Sequence, residues 1–113
     1  MSRQLEERFS SFARNVRDFC EQIEFSVINK QYISQLIRSS SSIGANYIEA
    51  SENLGVNDEK MKLRISRREA KETIYWLSLL LINKNELETV KLSLTNEAEQ
   101  IKKILSAIIL KLG

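Results

Sequence analysis

Residues 38–50 read Arg38-Ser39-Ser40-Ser41-Ser42-Ile43-Gly44-Ala45-Asn46-Tyr47-Ile48-Glu49-Ala50. Four consecutive serines ahead of a glycine look like a flexible linker, which would cut the chain into two halves. The flanking apolar residues decide otherwise. Ile33, Leu36, Ile37, Ile43, Tyr47 and Leu54 hold one helical phase through the serines, so the stretch is the middle of a helix from about Lys30 to Leu54. Small residues let a neighbouring helix approach closely, and serine hydroxyls can bond back to the preceding turn. The run is therefore a close helix crossing, and Gly55 ends the helix in a left-handed conformation.

Three further amphipathic segments surround it. Leu5, Phe9, Phe12, Val16, Phe19 and Ile23 stripe a first helix from about Arg3 to Glu24, capped by Ser2, with Cys20 as a packed core thiol. A third helix runs from about Asp58, capped by Asn57, to Asn83. Its core face carries Met61, Ile65, Trp76 and Leu79, with Glu69 and Glu72 within or beside it, while Ile74, Tyr75 and Ile82 make its back face apolar. Asn83–Leu92 reads as a loop or frayed end. A fourth helix starts near Ser93 or Thr95 and carries Leu94, Ala98, Ile101, Leu105, Ile108 and Leu112 at heptad spacing, with Ile104, Ile109 and Leu110 off that seam. Apolar residues on two faces exceed what one core buries and point to a subunit interface. The expected fold is all-α: a single domain, 1–113, forming an antiparallel up-and-down four-helix bundle.

Composition narrows the chemistry. The 113 residues include no proline, which suits helices joined by short turns, and no histidine. Serine–histidine triads, cysteine–histidine dyads and histidine-bearing metal sites are excluded. Cys20 is the one cysteine, so neither an internal disulfide nor a thiolate zinc cage can form. The opening MSRQLEERFS is charged, and the longest apolar run, Trp76–Ile82 broken by Ser78, is far short of a bilayer span. A soluble cytoplasmic protein is expected, without cofactor. Its net charge of +2 alone does not argue for nucleic acid.

Carboxylates are the remaining candidates for catalysis. Glu49/Glu52 and Glu69/Glu72 are Glu-x-x-Glu pairs, and two facing pairs could hold magnesium, as in all-helical nucleotide pyrophosphohydrolases. Glutamates three apart are common on helix surfaces, however, and Lys71 lies between the second pair while Arg68 precedes Glu72 by one turn. The preferred reading is structural: Glu69 and Glu72 neutralised by Arg38, Arg68 or Asn46 across the crossing, with no catalytic or metal site. Between Lys60 and Lys71 stand six basic residues and one acid. Lys60, Arg64, Arg67 and Lys71 fall in a narrow wedge that could follow a phosphate backbone, and repetition in an oligomer would multiply such contacts. No aromatic residue interleaves with them, so base stacking is not expected.

The Arg38–Ala50 stretch resembles the second-helix motif of bacterial four-helix-bundle proteins first noted in intervening sequences of 23S ribosomal RNA genes. Lys62-Leu63-Arg64-Ile65-Ser66 followed by Arg68-Glu69-Ala70-Lys71-Glu72-Thr73-Ile74-Tyr75-Trp76-Leu77 resembles that family's third-helix motif. The order and gap of the motifs agree, so the resemblance covers nearly the whole chain. Relatives include the accessory variability determinant of diversity-generating retroelements, a partner of a reverse transcriptase. The resemblance implies a homopentamer, no enzymatic activity, and a basic surface for RNA, DNA or a nucleic-acid-processing enzyme. Arg38, Asn46, Glu49, Glu69, Glu72, Tyr75 and Trp76 match its motifs, the polar ones as helix-to-helix ties. A protein-binding scaffold without nucleic acid, and magnesium-dependent hydrolysis, are the competing expectations.

Overall fold

A computed structural model describes residues 2–113. Helices α1 (Arg3–Glu21), α2 (Val27–Ser51), α3 (Val56–Leu79) and α4 (Asn85–Lys111) follow one another through short connections. Connections that short reverse the chain, so neighbours pack antiparallel: α1 on α2, α2 on α3, α3 on α4. A thinner α1–α4 seam closes the bundle, which measures 46 × 22 × 19 Å. Among the described residues no helix is long and apolar enough to cross a membrane.

The α1 stripe behaves as its period predicts. Phe9, Phe12, Val16 and Phe19 are buried, with Leu5 and Ile23 packed at the margin. Cys20 is buried beside them, and burial pushes its thiol up to about 11, so it is protonated and inert near neutral pH.

The serine run is helical throughout, and Leu36, Ser39, Ser40, Ile43, Tyr47 and Ala50 face inward. Ser39, Ser40 and Ser42 donate to the carbonyls of Leu36, Ile37 and Arg38 at 3.3, 3.3 and 2.8 Å. Two hydroxyl bonds cross to α3: Ser66 donates to the Ile43 carbonyl at 2.7 Å, and Thr73 Oγ1 to Ser39 Oγ at 2.9 Å. Gly44 plays another part than the crossing. A Cβ there would meet Phe9 Cβ at 3.5 Å, so the glycine faces α1 at ordinary contact distance.

Four expectations need correction. The core face of α3 is Leu63, Ser66, Ala70, Thr73 and Leu77, whereas Met61 is exposed and Ile65, Trp76 and Leu79 are half-buried. Between the buried Leu63 and Leu77 the middle of that face is small, Ser66, Ala70 and Thr73, where it meets Ser39 and Ile43 of α2. On α4, helix begins at Asn85: Glu86 and Glu88 suit its positive end, and Leu87 is buried one heptad before Leu94. Ile109, expected off the seam, is buried in the core. At the α2–α3 connection Leu54 is exposed. Gly55 is the N-cap of α3, at φ 138°, and the Asp58 carboxylate accepts from Leu54 N–H at 3.1 Å.

The remaining boundaries also have local causes. Ser26 Oγ accepts from Asn29 N–H at 2.9 Å and starts α2 three residues before Lys30. Buried Asn29 then grips Leu81 twice, its amide donating to the carbonyl and accepting from the N–H, each at 2.9 Å. Those bonds replace helical ones, which is why α3 ends at Leu79 rather than Asn83. At the opposite end Tyr47 Oη accepts from Ser2 N–H at 2.9 Å. Arg8 spans the α1–α4 seam with two bonds to Glu97, both 2.8 Å.

Candidate nucleic-acid interface

Basic side chains on α3 repeat every three or four residues because one turn takes about 3.6. Arg64, Arg67 and Lys71 line a groove of about 500 Å³ between α3 and α4. Arg68 lines it too, and α4 contributes Lys102 and Ser106. Arg67 Nη1 donates to Ser106 Oγ at 3.3 Å, which draws the two helices together at the groove floor. Lys60 is half-buried and lies outside the groove lining. A smaller depression of about 360 Å³, formed by Met61, Arg64, Ile65 and Arg68, gives the groove an apolar shoulder.

Charge pairing divides the basic run. Lys62 leaves it, reaching Glu49 at 3.6 Å. Lys102 pairs with Glu99 on its own helix at 3.3 Å. Among the described residues, Lys60, Arg64, Arg67, Arg68 and Lys71 make no ion pair. Their cationic field therefore faces solvent uncancelled, where salt screens it with a length of about 8–10 Å.

Of the expected polar network, Arg38, Glu69 and Glu72 come together across the crossing, whereas Arg68, Asn46 and Glu49 do not join them. Arg38 Nη1 donates to Glu69 Oε2 and Nη2 to Glu72 Oε1, both at 3.1 Å, while its Nε reaches Gln35 at 3.3 Å. Glu69 is buried, with a side chain 10% exposed, and Arg38 is the cation that makes this tolerable. Arg68 does not join that network, because its position turns it into the basic groove. Asn46 bonds locally to the Ser42 carbonyl at 2.9 Å, and Glu49 stands apart with Lys62. Among the described residues no three ligating side chains gather where a metal ion could sit, so the two Glu-x-x-Glu pairs do not converge.

Lys102 and Ser106 escaped the sequence reading, although a signal was available. Each follows a buried seam residue, Ile101 and Leu105, by one position, and so points to one flank of the α4 seam. Further along α3, Trp76 lies 6.4 Å from Tyr32 of α2 and 5.2 Å from Tyr75, ring centre to ring centre. The Trp76 Nε1 donor is buried without an acceptor among the described residues.

Comparison with known proteins places these features in context. A family described as 23S rRNA-intervening sequence protein matches residues 5–107. A crystal structure from Bacteroides thetaiotaomicron VPI-5482, of a protein with unknown function from the S23 ribosomal protein family, has a TM-score of 0.74 to this chain. The two are 32% identical, over 92% of this chain and 93% of that one. No curated protein sequence matches.

Proposed function

Because this chain belongs to the 23S rRNA-intervening sequence protein family, we propose that it is a non-enzymatic oligomeric bundle that holds the phosphate backbone of RNA or DNA. One observation carries the reading: Arg64, Arg67, Arg68 and Lys71 converge on one groove without carboxylate partners among the described residues. Guanidinium forks match phosphate oxygens, and neutralising phosphates releases counterions, so binding is sequence-tolerant and salt-dependent. Assembly supplies the affinity that one protomer of charge +2 lacks. Its support lies in the exposed Phe25, Val27, Ile28 and Leu81 at one bundle end. The family resemblance makes a homopentamer the proposed form, presenting the groove five times, to nucleic acid itself or to an enzyme acting on it.

Fluorescence anisotropy with labelled RNA and DNA oligonucleotides tests the groove. The wild type should weaken with salt by about 0.7–0.9 log units per phosphate contact for each decade of salt. R64E/R68E/K71E should bind at least about 100-fold more weakly. Undiminished binding by this variant would remove the groove from the function. Light scattering of the same samples should give a multiple of 13.1 kDa; a 13.1-kDa particle at micromolar concentration overturns the assembly.

A further inference from the structure

Tyr75 is 57% exposed, although it is a large aromatic residue. Its place on α3 explains what that exposure offers. At about 100° per residue, Arg64, Arg68, Lys71 and Tyr75 lie within a strip about 60° wide, so the tyrosine continues the cationic row by one turn. The rise from Lys71 to Tyr75 is about 6 Å, and from Arg64 to Tyr75 about 16 Å. Trp76 packs against Tyr75 at 60° between ring planes, while Trp76 itself is half-buried against the core. The Tyr75 ring is thus buttressed from behind and open in front.

We propose that Tyr75 is a stacking platform for an unpaired nucleobase, so that the site selects single-stranded RNA or DNA. This rests on the phosphate-binding reading above and specifies the form of nucleic acid. Phosphates held by Arg64, Arg68 and Lys71 leave the next base within reach of the Tyr75 ring, and stacking accepts any base because every base has a π-face. A duplex keeps its bases stacked on one another and cannot offer one to Tyr75 without unpairing it. Among the groove residues themselves there is no aromatic side chain; the one exposed ring in line with the cations stands at the end of the row.

The test compares a labelled single-stranded oligonucleotide with its own duplex by anisotropy, using wild type, Y75A and Y75F. Y75A should lose about 5- to 150-fold in single-strand affinity, the effect of removing one stacking partner, while its duplex affinity is unchanged and Y75F stays near wild type. Emission from Trp76, the one tryptophan, should change on adding the single strand and not on adding the duplex. Single-strand binding by Y75A at wild-type strength overturns the platform, and so does equal loss for both forms, which is what a purely structural role gives. If wild type binds neither form, the phosphate reading fails and takes the platform with it. If R64E/R68E/K71E loses binding while Y75A does not, the platform alone fails.

Discussion

Phe9→Ala is expected to cost about 3–5 kcal/mol, which for a domain of this size lowers the melting temperature by on the order of 15 °C. Phe9 is fully buried and sits where α1 meets α2. Its ring stands perpendicular to that of Tyr47 at 5.0 Å, and its Cβ faces Gly44 of α2. Truncation leaves a cavity that two rigid helices cannot close, and it removes the edge-to-face aromatic pair as well. Urea denaturation followed by circular dichroism measures the loss. A cost below about 1 kcal/mol would mean that the Phe9 site collapses freely, contrary to this packing.

Arg38→Ala should destabilise by about 2–3 kcal/mol, mainly through what it leaves behind. Glu69 would keep a buried carboxylate without a cation, while Glu72, 39% exposed at its side chain, could be rehydrated. The estimate falls below the full penalty of breaking a buried pair because Arg38 is itself half exposed. In a Glu69→Gln background the same substitution should cost under about 1 kcal/mol, since no buried charge is then stranded. Equal costs in both backgrounds would show that Arg38 acts through its own packing rather than through Glu69.

Much of this architecture was legible in residue order, for identifiable reasons. The α1 stripe could be read because phenylalanines and valine contrast sharply with the charges opposite. Residues 38–50 could be read as helix because phase survives the serines. On α3 bulk does not mark the core position. Where hydroxyl residues line both sides of a crossing, Ser66, Ala70 and Thr73 fit and Trp76 does not. The start of α4 was hidden by charge: Lys84–Lys91 looks solvated, and Leu87 alone betrays the seam. At the interface, Arg64, Arg67 and Lys71 were found by spacing on one helix. Lys102 and Ser106 required knowing which flank of α4 turns toward α3, which no single-helix period contains. Arg68 was assigned to the wrong neighbours because Glu72 is one turn away in sequence while the groove is nearer in space.

The seams of this bundle are not alike, and that bears on how it moves. Three of them join helices adjacent in the chain, whereas α1 and α4 meet through a thinner contact fastened by Arg8 and Glu97. Gln4, Asn15, Asn96 and Gln100 line a cleft of about 660 Å³ beside that contact, together with Phe12 and Leu94 of the core. Parting α1 from α4 would uncover Phe12 and Leu94, both buried, while leaving the three hairpin interfaces in place. As the thinnest of the four seams, this one is expected to open first. Amide hydrogen exchange should be faster along α1 and α4 than along α2 and α3, whose more extensive seam supports the cationic row.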